Sequence, residues 1–265
     1  MSEFDLTGRV AVVTGAAGLL GTRHCAALVE AGATVVAADL DAEKAAAVGS
    51  NVGGQGLSVD VTDKASLESA RDRILQDQGR IDVLVNNAAV NDMFEAPELA
   101  GELSAFEAYP LDAWQKSLDV NVTGVFLASQ VLGSVMAGAG TGSIINVAST
   151  YGMVGPDQRI YVDDAGTRSM WKSPAYPATK GAVINFTRFL AAYWGDKGVR
   201  VNTLSPGGVE NGQEPWFVDN YADRTMLGRM ASPDDYRGAL VFLASDASAY
   251  VTGANLVVDG GWTAW

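Results

Sequence analysis

Short apolar runs rich in β-branched residues alternate along the chain with longer stretches of helical composition. The first run covers residues 9–14 (Arg-Val-Ala-Val-Val-Thr) and stops at Gly15. An Ala-rich stretch follows as far as Ala31, and the next apolar run, residues 33–38, ends at Asp39. Short apolar runs bounded by glycine are typical of buried strands. The chain therefore opens with a predicted strand–helix–strand unit.

The same alternation continues to the end of the chain. Apolar strands separated by helical crossovers are typical of a parallel sheet that is covered on both faces. We therefore expect an α/β fold, a doubly wound Rossmann fold with a seven-stranded parallel sheet and helices on both faces. Beyond the opening unit, strands are predicted at residues 56–59, 81–85, 143–147, 199–204 and 254–258, and helices at about 64–78, 111–136, 176–194 and 233–244.

The glycine-rich turn that follows the first strand, Gly15-Ala16-Ala17-Gly18-Leu19-Leu20-Gly21, has the context of a dinucleotide site. Its glycines let the backbone approach a pyrophosphate, and the N-terminus of the next helix offers N–H groups to it. Asp39 follows Gly15 by 24 residues, near the spacing at which an acid holds the ribose hydroxyls. A carboxylate there repels the extra phosphate of NADP by about 1 to 4 kcal/mol at 4 Å. Leu40 and Asp41 supply no cation, so we expect NAD.

Tyr176 and Lys180 form the candidate chemical pair. A spacing of four residues places both side chains on one face of a helix. An ammonium near a phenol favours the phenolate, so we expect the pKa of Tyr176 to fall from about 10 toward working pH. Such a tyrosine exchanges a proton with an alcohol or ketone oxygen. The alternative is an ordinary surface Tyr and Lys that happen to be four residues apart.

Composition excludes several other classes. The 265 residues are 48% hydrophobic and 18% charged, which suits one core, and we expect a single Rossmann-type domain over residues 1–265. The formal net charge of −13 disfavours nucleic acid and anionic membranes as partners. Cys25 and His24 are the only residues of their types, so no internal disulfide and no structural zinc site is expected. A Ser-His-Asp hydrolase would have to use His24.

We also expect a cytoplasmic protein without a membrane partner. The N-terminus is acidic and lacks the pattern of a signal peptide. The most apolar long window, residues 120–139, is interrupted by Asn121, Thr123, Ser129 and Gln130, which favours a buried helix over a membrane span.

Ordered motifs along nearly the whole chain resemble the short-chain dehydrogenase/reductase family. They are Thr14-Gly15 to Gly21, Asp60-Val61, Asn86-Asn87-Ala88, Asn121 within residues 119–124, Ser149, Tyr176 with Lys180, Ser205-Pro206-Gly207, and Val258-Asp259-Gly260-Gly261. The resemblance implies an oxidoreductase that interconverts a secondary alcohol and a ketone with a nicotinamide cofactor. It also implies a homodimer or homotetramer, paired through the helices around Asn121 and Tyr176.

The resemblance assigns roles to particular residues. Tyr176 is the expected acid/base and Lys180 its partner, which also holds the nicotinamide ribose. Ser149 is expected to hydrogen-bond the substrate oxygen, and Asn121 to support a water that relays protons to Lys180. The expected cofactor-binding residues are Gly15, Gly18, Leu19, Leu20, Gly21, Asp39, Leu40, Asp60, Val61, Asn87, Ala88, Tyr176, Lys180, Pro206, Gly207 and Val209.

The chain also departs from the family pattern. Leu19 stands where the commoner spacing has a glycine, Ala89 replaces a usual glycine, and residues 208–211 lack the threonine that binds the carboxamide in many members. Substrate loops are expected at about 91–110, 150–175 and 208–230, since loops above the strand ends build specificity.

The segments at 91–110 and 156–174 look long for the family and carry many charges. One hypothesis is a polar, hydroxyl-rich substrate, a carbohydrate or sugar acid, whose charge is met by Arg159, Arg168 or Lys172. The alternative is that these segments are solvated surface or subunit contacts. A 3-oxoacyl thioester reductase and a non-catalytic nucleotide sensor remain the alternative functions.

Overall fold

Seven parallel strands form one sheet in the order β3-β2-β1-β4-β5-β6-β7 in the computed structural model, which describes residues 2–91 and 101–265. The strands are β1 (Val10–Thr14), β2 (Thr34–Asp39), β3 (Gln55–Ser58), β4 (Val83–Asn86), β5 (Gly142–Val147), β6 (Val199–Pro206) and β7 (Asn255–Val258). The helices are α1 (Leu19–Glu30), α2 (Ala42–Asn51), α3 (Lys64–Gln78), α4 (Leu111–Ala139), α5 (Ala175–Trp194), α6 (Pro215–Ala222) and α7 (Arg237–Ala244).

Two apolar layers bury the sheet, one on each face. On β1, Val10 and Val12 point into the layer formed with α3, α4 and α5, while Ala11 and Val13 point into the layer formed with α1 and α7. Both sets are buried because successive residues of a strand face opposite sides of the sheet. This two-sided burial explains the continuous apolar runs in the sequence, and the predicted fold class is confirmed.

Helix α4 passes the length and composition test for a membrane span, but its apolar side belongs to the core. Val131, Leu132 and Met136 are buried in the layer that also contains Leu84 and Ile144 of the sheet. Two π-helical turns, Asp119–Thr123 and Ser129–Gly133, interrupt the α-helical pattern. The first of them carries Asn121.

Two helices were not predicted from the sequence. Helix α2 begins after Asp41, whose carboxylate accepts hydrogen bonds from the backbone N–H groups of Glu43 and Lys44. Helix α6 follows Glu214 and has a proline in its first turn. Both helices are short, with 10 and 8 residues, so each presents too few turns for a clear apolar period.

The sheet order places a crevice beside β1. Strand β1 pairs with β2 on one side and with β4 on the other, so the chain crosses over after β3 to the opposite half of the sheet. In open parallel sheets, ligands bind at such a switch point, outside the carboxyl ends of the strands. The candidate site is built at this edge.

Candidate active site

The glycine-rich turn, residues 15–21, is packed so closely that side chains are excluded from two of its positions. Gly15 has a φ of +62°, and a Cβ on Gly15 would lie 2.7 Å from the Cα of Ala88. A Cβ on Gly21 would lie only 2.1 Å from the carbonyl oxygen of Gly15. Gly18 has ordinary extended φ and ψ of −72° and 171°, so Leu19 follows it without strain at the start of α1. The departure at Leu19 is therefore accommodated by the backbone.

Asn87 fastens this turn to the neighbouring strand. Its side-chain amide donates to the carbonyl oxygens of Thr14 and Gly15 at 3.1 and 2.9 Å. The Thr14 hydroxyl accepts in return from the backbone N–H groups of Asn87 and Ala88, both at 3.1 Å. These bonds hold the end of β1 against the end of β4, and they leave the N-terminus of α1 facing the crevice.

Asp39, at the end of β2, is held by backbone donors. Its carboxylate accepts from the N–H of Ala17 at 2.9 Å and from the N–H of Asp41 at 3.2 Å. Lys44, one turn into α2, forms an ion pair with Asp41 at 3.0 Å. The sequence-based reasoning overlooked Lys44, although its position three residues after a helix-capping aspartate is a visible signal. The pairing places two carboxylates and one cation at this end of the crevice.

A long cleft of about 1030 Å³ runs along the strand ends and joins these features. We call it the long cleft. Most of the predicted cofactor-binding residues line it: Gly15, Gly18, Leu19, Leu20, Asp39, Leu40, Asp60, Val61, Asn87, Ala88, Tyr176, Lys180 and Pro206. Gly21 lies behind the turn, and Gly207 and Val209 line the adjoining pocket instead. The cleft suits a dinucleotide because an uncapped helix N-terminus, a close glycine turn and an acid at a strand end lie along it.

Tyr176 stands where the long cleft meets this second pocket and lines both. Ser149 follows β5, and its side chain is hydrogen-bonded to the Tyr176 phenol. Lys180 lies one turn along α5 from Tyr176, with its Nζ 5.6 Å from the centre of the phenol ring. That Nζ donates to the carbonyl oxygen of Val147 at 2.8 Å. The three predicted side chains are thus brought together by β5 and α5.

The predicted pKa of Tyr176 was wrong in its direction for the protein alone. Burial raises the pKa of Tyr176 above its ordinary value, and the hydrogen bond with Ser149 opposes this rise. Burial also lowers the pKa of Lys180 to about 8, so Lys180 remains mostly protonated at neutral pH and loses its charge above pH 8. The sequence showed the spacing of the pair, but it did not show that the fold buries Lys180 and partly buries Tyr176.

Asn121 lies behind the site rather than on its surface. Its Oδ1 accepts from the N–H of Val90 at 2.8 Å, and its Nδ2 donates to the Val90 carbonyl at 3.0 Å and to the Thr179 hydroxyl at 3.2 Å. Both donors are therefore committed to protein atoms. In this geometry Asn121 ties the loop after β4 to α5, and the predicted water relay stays a prediction.

The second pocket, of about 330 Å³, has aromatic walls, and we call it the aromatic pocket. The hydroxyls of Tyr151 and Tyr161 lie 3.4 Å apart, and Tyr221 stacks on Trp262 with ring centres 4.2 Å apart. Polar groups from Asn91, Ser149, Asn211 and Gln213 are also on its surface. Among the lining residues that the structure describes, none carries a charge.

The charged segment 156–174 contributes to this pocket through its aromatic residues. Ile160 and Tyr161 are buried in the cluster that forms the wall, which argues against a purely solvated excursion. Arg159 is largely exposed and paired with Asp157 at 2.7 Å, and the Arg168 guanidinium stacks 3.8 Å from the centre of the Trp171 ring. Neither arginine is among the described residues that line the aromatic pocket, and their contact with substrate stays a prediction. Of the other long segment, 91–110, residues 92–100 lie outside the described residues, so the substrate loop expected there stays a prediction.

Sequence reasoning missed the residues that shape the aromatic pocket. Tyr151, Tyr161, Tyr221 and Trp262 come from four distant parts of the chain, and each is an isolated aromatic residue without a motif. A second missed group is a buried polar network in which Asn146 accepts from Asn86 at 2.8 Å and donates to Thr187 at 2.9 Å. Their only signal was polar residues at the ends of apolar strands.

Comparison with known proteins agrees with this geometry. A family model described as enoyl-(acyl carrier protein) reductase matches residues 15–263. A D-threitol dehydrogenase of Mycolicibacterium smegmatis is 40% identical over 98% of this chain and 95% of its own length. A 3-alpha-(or 20-beta)-hydroxysteroid dehydrogenase of Mycobacterium bovis is 38% identical over 98% of this chain and 91% of its own.

A solved structure shares the whole architecture. The crystal structure of a gluconate 5-dehydrogenase from Burkholderia cenocepacia, in complex with NADP and tartrate, superposes with a TM-score of 0.86. It is 32% identical and covers 99% of this chain and 98% of its own. Together with the family match over residues 15–263, these similarities show that the chain belongs to the short-chain dehydrogenase/reductase family, oxidoreductases that act on alcohol groups with a nicotinamide cofactor.

Proposed function

We propose that the protein is an NAD(H)-dependent dehydrogenase that interconverts a secondary alcohol and a ketone on an uncharged polyol or sugar. The observation that carries this proposal is the position of Tyr176. Its phenol lies at the junction of the long cleft and the aromatic pocket, beside Ser149 and Lys180. A substrate hydroxyl in the pocket therefore meets a proton acceptor at the point where a nicotinamide would end.

Tyr176, Ser149 and Lys180 each have a separate role in the proposed reaction. A nicotinamide bound in the long cleft supplies the hydride acceptor. Tyr176, as phenolate, takes the proton of the substrate hydroxyl, and Ser149 donates a hydrogen bond to the same oxygen. Lys180 opposes the charge on the phenolate and becomes a more effective cation below its pKa of about 8. In the direction of reduction, the Tyr176 phenol returns the proton to the ketone oxygen.

The pocket lining supports a neutral, hydroxyl-bearing substrate. The amide of Asn211 and the phenol of Tyr161 offer donors and acceptors for remote hydroxyls. The amide of Gln213 is held at the pocket surface by the Asn211 N–H and the Val209 carbonyl. The similarity to a D-threitol dehydrogenase points the same way. The aromatic walls and the hydroxysteroid dehydrogenase relative favour an apolar ring alcohol as the second candidate.

A substrate panel tests this assignment. Alcohol oxidation is followed by absorbance of the reduced nicotinamide, with D-threitol, galactitol, gluconate and a 3α-hydroxysteroid as substrates and a 3-oxoacyl thioester in the reverse direction. We expect the highest kcat/KM for a polyol and a loss of at least about 10³-fold in Tyr176→Phe, because no other group replaces the phenol. Preference for the steroid or the thioester refutes the polyol assignment, and activity that survives in Tyr176→Phe refutes the mechanism.

Preference for NAD rests on Asp39. Two carboxylates, Asp39 and Asp41, face one cation, Lys44, which is already paired, so a 2′-phosphate would meet net negative charge. Asp39→Asn removes the charge and keeps an acceptor for the Ala17 N–H. We expect kcat/KM with NAD to fall about 10- to 100-fold and the preference to move toward NADP. Asp63→Asn, a helix-capping aspartate on α3, is the matched control. An unchanged NAD-to-NADP ratio in Asp39→Asn contradicts the assignment.

The proposal includes a homodimer or homotetramer in a reducing cytoplasm. Phe189 of α5 stacks on Phe186 and Tyr193 of the same helix, and Phe126 of α4 packs against Phe186 at a tilt. Phe126, Phe189 and Tyr193 are exposed, and such an aromatic surface is typical of a subunit contact. Cys25 is buried as a free thiol. Light scattering of the purified protein tests the assembly, and a monomer would contradict it.

A further inference from the structure

Lys172 is a buried cation of segment 156–174 that the proposed chemistry leaves without a role. Only 5% of its surface is exposed, although lysine is among the residue types least often buried. It precedes α5 by a single turn of chain, four residues before Tyr176. Burying an ammonium is costly, so its retention in this place requires a compensating interaction.

The backbone of Lys172 is held on both sides by one glutamine. Gln158 accepts from the Lys172 N–H at 2.8 Å and donates to the Lys172 carbonyl at 3.2 Å. The Gln158 carbonyl in turn accepts from the guanidinium of Arg168. The segment therefore folds back on itself in a way that fixes where the Lys172 side chain begins.

The ammonium itself is directed at the site. Lys172 Nζ lies 4.4 Å from the centre of the Tyr176 ring, closer than the 5.6 Å that separates Lys180 Nζ from the same ring. It also donates to the side-chain oxygen of Asn91, a residue that lines both the long cleft and the aromatic pocket. Two lysines thus lie within reach of one phenol.

We propose that Lys172 is a positioning residue that stabilises the phenolate form of Tyr176 through the face of its ring. A phenolate spreads negative charge into its ring, so a cation over the ring gains more from the ionised form than from the phenol. This inference rests on the proposed acid/base role of Tyr176. It assigns the segment inserted before α5 an electrostatic part in the reaction as well as a part in the pocket wall.

Other groups of the described residues also act on Tyr176. Ser149 is hydrogen-bonded to it from β5, and Lys180 approaches from its own helix. Tyr151 and Tyr161 interact with it electrostatically from the aromatic wall. Lys180 already donates to the Val147 carbonyl, and burial lowers the pKa of Lys180. Lys172 therefore places a second positive charge beside Tyr176, closer to the ring than that of Lys180.

The test is the pH dependence of kcat/KM for alcohol oxidation by the holoenzyme. In Lys172→Met and Lys172→Gln, we expect the acid limb to move to higher pH by at least about 1 unit, because the phenolate loses a cation. Lys172→Arg keeps the charge and is expected to stay near the wild-type profile. Arg159→Gln removes an exposed cation of the same segment and is the matched control. Thermal melting compares the folded stability of all four variants.

A second readout needs no substrate. Near-ultraviolet absorbance of ionised phenol is titrated in the wild type and in Lys172→Gln, each as a difference from the same protein carrying Tyr176→Phe. We expect the midpoint of Tyr176 to rise in Lys172→Gln. Unmoved midpoints and profiles in the uncharged variants overturn the inference, as does an equal shift in Lys172→Arg. A wild type that oxidises no alcohol would refute the proposed function, while this titration would still decide the electrostatic role.

Discussion

On one side of Tyr176 lies the long cleft, whose shape is set by the main chain of the glycine-rich turn, and on the other lies the aromatic pocket, whose shape is set by aromatic side chains. In the long cleft, Gly15 packs against Ala88, and Asp39 accepts from the Ala17 N–H. In the aromatic pocket, Tyr221 stacks on Trp262. The first surface tolerates almost no change in shape, whereas the second is open to replacement of one ring by another.

We therefore expect the long cleft to keep its shape when side chains are substituted and the aromatic pocket to change its shape. The backbone N–H groups of the glycine-rich turn are the same donors whatever the neighbouring side chains are. A pocket made of side chains from segments 149–176 and 208–230 changes its lining with each substitution. The relatives have names that refer to different alcohols, which is consistent with such a division.

The largest effect is expected from Gly21→Ala in the glycine-rich turn, which tests whether the long cleft tolerates a change in shape. Its Cβ would lie 2.1 Å from the Gly15 carbonyl oxygen, and a backbone atom has little freedom to move away. We expect the free energy of unfolding to fall by about 3 kcal/mol and NAD affinity to fall at least about tenfold. Gly238→Ala, on α7 where a Cβ meets open space, is the control and should be neutral. Urea unfolding and NAD titration measure both, and normal NAD binding by Gly21→Ala would contradict the rigid-cleft argument.

The second expected effect is a pH dependence of the folded stability that comes from His24, a buried residue of α1. It is fully buried on α1, neither ring nitrogen has a hydrogen-bond partner among the described residues, and burial lowers its pKa to about 4. In the unfolded chain this imidazole binds a proton as the pH falls below 6.5, whereas in the folded chain it does so only near pH 4. The part of the unfolding free energy that depends on neutral His24 is therefore fully present above pH 6.5 and is lost as the pH falls toward 4.

We expect His24 to cost the protein about 2 kcal/mol of unfolding free energy between pH 7 and pH 5, the larger part of the interval between the two pKa values. His24→Leu removes this term, so its unfolding free energy should fall less steeply between pH 7 and pH 5 than that of the wild type. Urea unfolding at the two pH values measures the difference. Parallel losses in the wild type and the variant would show that His24 is not buried in its neutral form.

The smallest expected effect lies in the aromatic pocket. Tyr221→Phe keeps the ring on Trp262 but removes the hydroxyl that accepts from the Gly208 N–H. Loss of one such hydrogen bond is worth about 1 kcal/mol, so we expect KM for the alcohol to rise about fivefold while NAD affinity stays unchanged. Tyr250→Phe, fully exposed, is the control. Steady-state kinetics and NAD titration separate the two, and weaker NAD binding would show that the long cleft and the pocket are not independent.

The sequence predicted the long cleft far better than the aromatic pocket. All seven strands lie within two residues of their predicted ends, because strands buried on both faces show as continuous apolar runs. The glycine-rich turn and Asp39 are local signals, tied to particular strand ends. The assembly of Tyr151, Tyr161 and Tyr221 depends on contacts between distant segments, and no local pattern records them.

Electrostatic properties were the hardest to predict. The spacing of Tyr176 and Lys180 is visible in the sequence, but the sign of the Tyr176 pKa shift depends on how deeply the fold buries it. Lys172 was one of three cations expected to meet the charge of a substrate, and the fold directs its ammonium toward the Tyr176 ring. Burial is a property of the whole fold. A charged stretch of sequence such as 156–174 therefore does not show which of its charged side chains will be exposed and which will be buried.

The strand order has a consequence for how the protein forms. Strand β1 is flanked by β2, which follows it closely, and by β4, which is synthesised about 70 residues later. The bonds between Thr14 and Asn87 therefore wait for a long loop to close, and closing such loops slows folding. On a growing chain, the early β1–α1–β2 unit exposes one unpaired edge until β4 arrives. The β1–α1–β2 unit, which carries the glycine-rich turn and Asp39, is thus synthesised before β4 but reaches its final pairing only after β4 has been added.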